Sequence, residues 1–94
     1  MAAFLVGTIR VTDAAAWQGY VDRVGATFER HGGTVLLRGV KQCELSQSAH
    51  GERVVVARFE SMQALRAWHD SPDYQALIAL REAGADVVLT AYEG

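Results

Sequence analysis

The sequence predicts an α+β sandwich, a four-stranded antiparallel sheet in the chain order βαββαβ with both helices on one face. Three observations carry this. Four runs rich in β-branched and apolar residues alternate with segments of helical periodicity. Helix-start residues stand at Asp13, Ser61 and Ser71-Pro72. Glycines close both helical stretches, at Gly32-Gly33 and at Gly84.

Taken in order, Phe4 to Val11 reads as the first strand and stops at Thr12-Asp13, with Asp13 the N-cap of the first helix. Trp17, Tyr20, Val21, Val24 and Phe28 then recur at three- and four-residue spacing, which makes one amphipathic helix over about residues 14–31. His31 ends it as a cation-capable side chain ahead of the glycines. Thr34 to Lys41 is the second strand, with an extension to Leu45 left open, and residues 46–51 form a polar loop. Arg53 to Phe59 is the third strand, paired with the second as an antiparallel hairpin. Ser61 caps a helix carrying Met62, Leu65 and Trp68, which breaks at Asp70-Ser71-Pro72-Asp73. Ser71 as N-cap and Pro72 at the first helical position restart it as far as about Ala83, because a missing proline N–H costs nothing there. Asp86 to Tyr92 is the fourth strand. The whole chain, residues 1–94, reads as a single domain.

A sheet with helices on one side and water on the other alternates apolar with polar residues. These strands do not. The first offers Leu5, Gly7, Ile9 and Val11 on one parity and Phe4, Val6, Thr8 and Arg10 on the other. The second sets Val35, Leu37 and Gly39 against Leu36, Arg38 and Val40. The third sets Val55, Ala57 and Phe59 against Val54, Val56 and Arg58, and the fourth Val87, Leu89 and Ala91 against Val88, Thr90 and Tyr92. The helices can cover one face only, so the other is expected to meet a partner. The simplest partner is a second copy stacked sheet on sheet about a two-fold axis, a homodimer.

Composition narrows the class. Half the residues are hydrophobic, 21% are charged and there is one proline, as in a folded globule. A net charge of −2 and a pI of about 5.8 offer nothing to a phosphate backbone or an anionic membrane surface, so no nucleic-acid or membrane partner is expected. Cys43 has no second cysteine to pair with, which suits a reducing compartment, and no stretch reads as a signal peptide or a membrane helix; the expected location is cytoplasmic. The histidines at 31, 50 and 69 lack metal-ligand spacing, and no glycine-rich loop follows a strand, so neither a metal nor another cofactor is expected.

Two groups of residues bear chemistry. Arg10, Arg38 and Arg58 each interrupt an apolar strand parity, and a guanidinium keeps its charge when buried, so each needs an anion. That anion is either a carboxylate ligand or one of Glu44, Glu52 and Glu60 or a partner subunit. Arg38 is the best ligand candidate because Gly39 beside it lets other groups approach. The second group, Trp68, His69, Ser71 and Tyr74, lies where one helical segment hands over to the next. Trp68 falls on the apolar stripe. His69 is a candidate for proton transfer or a helix-end cation. Ser71 is accounted for as a cap. Tyr74 and Tyr20 pair an apolar ring with a polar tip, which suits a pocket wall or a core edge. With Arg38 and Trp68 they make a candidate ligand pocket between sheet and helices.

The run His31-Gly32-Gly33, Arg38-Gly39, Arg53-Val54-Val55-Val56, Phe59-Glu60-Ser61-Met62, Ala67 to Leu77 and Arg81 resembles the domain-of-unknown-function 1330 family over nearly the whole chain. The resemblance implies a ferredoxin-like subunit of the dimeric α+β barrel superfamily, in which two sheets pack face to face. It marks Gly33, Arg38, Gly39, Phe59, Trp68, Ser71, Tyr74 and Arg81 as signature positions without assigned roles. Val40 departs from a glycine frequent after the Arg-Gly pair, and His69 from a tyrosine. The resemblance implies two functions as expectations: a dimeric domain that binds a small carboxylate or aromatic metabolite, or an enzyme like the superfamily's cofactor-independent monooxygenases and isomerases acting on an aromatic or polyketide-like compound. The sequence contains no asparagine, which excludes the Asn-Trp-His set of haem-degrading relatives.

Overall fold

The capping chemistry sets the helices where the side chains demand them. The Asp13 carboxylate accepts the Ala16 N–H at 3.1 Å, the Ser61 hydroxyl accepts that of Ala64 at 3.1 Å, and the Ser71 hydroxyl accepts that of Tyr74 at 3.3 Å while donating to the Trp68 carbonyl at 2.7 Å. The computed structural model describes residues 1–94. Its elements are β1 (Ala3–Val11), α1 (Ala14–Arg30), β2 (Thr34–Val40), β3 (Arg53–Phe59), α2 (Met62–Asp70), α3 (Pro72–Gln75), α4 (Ile78–Gly84) and β4 (Ala85–Glu93). No helix is long and apolar enough to cross a membrane.

The strands lie in the order β2-β3-β1-β4, each pair antiparallel. β1, the first strand made, is therefore central, and β4 returns from the far end of the chain to its open side. Every second residue of β1 from Ala3 to Ile9 is buried under the helices. Trp17, Tyr20, Val24 and Phe28 meet them from α1, and Leu65, Trp68 and Tyr74 from the second helical stretch. Apolar side chains at helical spacing thus close the core on one face alone.

Two boundaries differ from expectation. The second strand stops at Val40; beyond it Lys41 ties the loop together through Glu44 at 2.6 Å and the Ala49 carbonyl at 2.7 Å, instead of continuing the ladder to Leu45. The segment expected to run unbroken from Pro72 to Ala83 divides at Ala76-Leu77. There the Leu77 N–H takes the Tyr74 carbonyl at 2.8 Å, a tightened turn three residues back. No glycine or proline marks that turn.

A third difference matters more. β2 carries a bulge between Val35 and Leu37. Val35 faces Ala57 under the helices, but Leu37 stands opposite Val56 on the outer face and Arg38 opposite Val55 on the inner one. One extra residue has turned the rest of the strand over. Strict alternation from Val35 puts Arg38 on the outer face; the bulge corrects this and delivers its guanidinium to the helix side.

At the restart of the second helical stretch the Asp73 carboxyl is held below the ordinary carboxylate range by its neighbour Ser71 and by the ion pair with Arg30. A depressed carboxyl stabilises the fold above its unfolded pKa and ceases to as pH falls through the folded one. Urea midpoints are therefore expected to drop as pH falls below about 4, and to drop less in Asp73→Asn; equal pH profiles for the two proteins would count against the assignment.

Candidate functional site

The site is built where α1 crosses the sheet. Trp17, Tyr20, Val21, Val24 and Phe28 form a roof, and Leu5, Ile9, Val55, Val87 and Leu89 form a floor. Between them lies a cavity of about 30 Å³ whose lining also includes Trp68 and the exposed Arg38. That volume holds a water molecule or two. Outside Arg38 the cavity widens into a cleft of about 200 Å³ against the β2 edge, sharing Ile9, Trp17, Val21 and Arg38 with the inner space and adding Gln18, Gly39, Val40, Arg53 and Val54. Neither space is lined by an Asp, Glu, His or Cys side chain.

The aromatic wall is locked from behind. Trp68 stacks on Phe28 with ring centroids 4.8 Å apart and lies 4.1 Å from Tyr74; its Nε1–H donates to the Thr27 hydroxyl at 3.0 Å. The Tyr20 and Tyr74 hydroxyls are 3.0 Å apart, and Arg81 donates to Tyr74 at 2.9 Å. Burial, reinforced by the neighbouring Tyr74, pushes the Tyr20 phenol far above its usual pKa, against a partial pull downward from Arg81 and Arg38. Tyr20 is therefore a neutral phenol at any physiological pH. Arg81 stays charged: burial disfavours its charge, but the bonds to Glu82 and Tyr74 outweigh that and raise its pKa.

Of the residues singled out in the sequence, Arg38, Trp68 and Tyr20 share the cavity wall. Tyr74 lies one layer deeper, fully buried, and touches the cavity wall through the Tyr20 hydroxyl and the Trp68 ring. His69 is not brought to this cavity. It lies in a separate depression of about 260 Å³ beside Arg66 and Asp70, with Asp70 within 3.2 Å, and Trp68 stands between it and the Arg38 end. Gly33 allows the Phe59 ring to lie against the backbone: a Cβ there would stand 2.8 Å from two ring carbons.

The three strand arginines separate cleanly. Arg10 pairs with Asp86 at 2.7 Å across the β1–β4 ladder, and Arg58 with Glu60 at 3.2 Å. Arg38 has no carboxylate partner and no hydrogen bond, since Glu44 is held by Lys41 and Glu52 by the Val11 N–H at 3.0 Å. Two residues escaped the sequence reading. Arg53 lines the outer cleft on the same face as Arg38, and His50 places Nδ1 2.9 Å from the Thr8 hydroxyl on the outer face of the sheet. Arg53 stood at a strand start and His50 in a polar loop, and their roles depend on strand register, which neither position advertises.

The sequence matches, over residues 2–94, the family described as Domain of unknown function (DUF1330). No curated protein matches it. Among solved structures, the RPA0582 protein of unknown function from Rhodopseudomonas palustris superimposes with a TM-score of 0.84 at 22% identity, covering 99% of this chain and 82% of that one. SnoaB, a cofactor-independent oxygenase from Streptomyces nogalater, gives 0.73 at 16% identity, covering 99% and 92%. A dimeric ferredoxin-like protein of unknown function from Jannaschia sp. CCS1 gives 0.72 at 13%, covering the full length of both. Identities this low establish a shared fold, the ferredoxin-like α+β arrangement that the strand order already describes. With that fold and a match running from residue 2 to residue 94, the chain belongs to the DUF1330 family.

Proposed function

We propose that this chain is a homodimeric ligand-binding domain that takes up a small carboxylate or aromatic metabolite between its sheet and helices, with the acidic group on Arg38. The single observation that carries the reading is the free Arg38 guanidinium at the mouth of an otherwise apolar and aromatic cavity. A few convergent polar groups on an apolar pocket are what a small-molecule site requires. The inner cavity is small as it stands, so the ligand's body rests mainly in the outer cleft, under Trp17 and Val21. Trp68 and Tyr20 form the wall behind, and Tyr74 fixes the Tyr20 hydroxyl.

Where an oxygenase-like or isomerase-like reaction starts by removing a proton from its substrate, it needs a base within reach. The lining supplies none, because Tyr20 stays protonated and His69 faces another depression. Binding is therefore the reading the site favours. A net charge of −2 argues against nucleic acid, and the lone, exposed Cys43 accords with a cytoplasmic location.

The dimer rests on the outer sheet face. Phe4, Val6, Val54 and Val56 lie there with Leu37, Val88 and Tyr92, the last three about half exposed at 50%, 47% and 55%. The proteins of the same fold from Jannaschia sp. CCS1 and Bacteroides fragilis are described as dimeric. Sedimentation at low micromolar concentration is expected to give twice the 10.2 kDa chain mass; a 10 kDa particle would remove the dimer. For the ligand, a thermal-shift screen of aromatic acids and metabolite-like carboxylates is expected to yield stabilising compounds whose effect disappears in Arg38→Ala. Hits that survive that substitution would place binding elsewhere.

A further inference from the structure

The ligand reading leaves one charge unexplained. Of eight arginines, Arg10, Arg30, Arg58 and Arg81 each hold a carboxylate: Asp86, Asp73, Glu60 and Glu82. Arg23, Arg38, Arg53 and Arg66 hold none. Arg38 and Arg53 alone among these four line the same cleft, the one of about 200 Å³ at the β2 edge. In the β2–β3 register Arg38 stands opposite Val55 and Arg53 opposite Val40. The two arginines are thus diagonal neighbours on the helix-side face, a spacing of roughly 7–8 Å that is somewhat shorter between Cβ atoms. The carboxylate next in sequence, Glu52, is turned to the Val11 N–H and makes no ion pair with Arg53.

Both guanidiniums keep their protons and are open to solvent, so the cleft carries two fixed positive charges; no carboxylate lines it, and Glu52 interacts with Arg53 only from outside that lining. One carboxylate presents two oxygens and matches one guanidinium fork; it leaves the other fork open. We infer that the ligand of this cleft carries two acidic groups, one held by Arg38 and one by Arg53, with its apolar body against Trp17 and Val21. This deepens the binding reading and rests on it. The class is a small aryl- or alkyl-bearing diacid. Arg53 becomes the residue that separates diacids from monoacids of the same body.

Two probes with the same phenyl body test it: 2-phenylsuccinate, with two carboxylates, and 3-phenylpropionate, with one. Calorimetric titration at low ionic strength is expected to show the wild-type chain binding phenylsuccinate at least about tenfold more tightly, the worth of one further charge-assisted contact. Arg53→Gln is expected to bring phenylsuccinate to within about threefold of phenylpropionate, by lowering phenylsuccinate affinity by the larger factor. Circular dichroism and urea midpoints confirm that the variant is folded. Equal wild-type affinities, or a phenylsuccinate preference that survives Arg53→Gln, overturn the diacid; if phenylpropionate binding still needs Arg38, the broader binding reading stands. Binding of neither acid, with no response to Arg38→Ala, overturns both together.

Discussion

Trp68→Ala is expected to destabilise the fold by about 3–5 kcal/mol, the range for removing a large aromatic from a well-packed core. Trp68 is 1% exposed and forms the centre of an aromatic column, with Phe28 on one side, Tyr74 on the other and Phe59 5.7 Å away. These four residues come from α1, β3 and the two helical segments after it, so the column ties the second half of the chain to the first. Removing the indole leaves a hole that none of the three rings can fill without abandoning its own partner. It also takes a hydrogen bond from the Thr27 hydroxyl, which still donates to the Val24 carbonyl at 2.7 Å. Trp68→Phe separates the two effects. It keeps a ring in the column, loses the Nε1–H, and is expected to cost less than the alanine variant, with about 1 kcal/mol of its loss due to the hydrogen bond. Urea unfolding at one fixed protein concentration measures both, because coupling to dimerisation makes stability concentration-dependent. A loss below about 1 kcal/mol for Trp68→Ala would show that the column does not hold the two halves together.

Trp68 also shows what the sequence can convey about a site. Its burial was legible, because it repeats the apolar spacing of Met62 and Leu65. Caps at Asp13, Ser61 and Ser71 were legible because each is a local side-chain to backbone bond that needs no knowledge of the rest of the fold. Apolar patterning on both parities of the strands likewise announced an outer face unlike a solvent-facing one. What the sequence could not convey is register. The bulge after Val35 has no glycine or turn residue to mark it, yet it decides which face Arg38 occupies. The pairing of Arg10 with Asp86 depends on two strands 76 residues apart lying opposite each other. Arg53 joins Arg38 only because the β2–β3 ladder places Val40 beside it. Local chemistry sets the elements, and long-range pairing sets which charges are left without a partner. The candidate site belongs to the second kind, which is why half of its charged lining is invisible without the strand ladder.

Gly84→Ala is expected to cost about 3 kcal/mol, the upper part of the range for overpacking, although it adds a single methyl group. Gly84 ends α4 where it presses on the first turn of α1. A Cβ built there would stand 2.5 Å from the Trp17 nitrogen, 2.7 Å from its Cα and 3.0 Å from the Ala16 carbonyl carbon. All three are backbone atoms, so no side chain can swing aside to make room. The helices must separate instead. That separation strains the two hydrogen bonds by which the Gly84 carbonyl receives the Thr12 and Asp13 N–H groups at 2.9 and 3.0 Å, the contacts that seat the start of α1. Gly25→Ala is the matched control: it lies within α1, a Cβ there meets nothing within 4 Å, and the substitution is expected to stabilise by about 0.5–1 kcal/mol through helix propensity. Opposite signs for two identical substitutions isolate the close approach as the cause. Trp17 lines both the inner cavity and the outer cleft, so the same displacement disturbs the site. Gly84→Ala is accordingly expected to weaken binding of any acid that depends on Arg38, measured on protein that is still folded at low temperature, while Gly25→Ala leaves it unchanged. Equal stability of the two variants would mean that α4 and α1 can part freely, and that the roof of the cleft is not held by this contact.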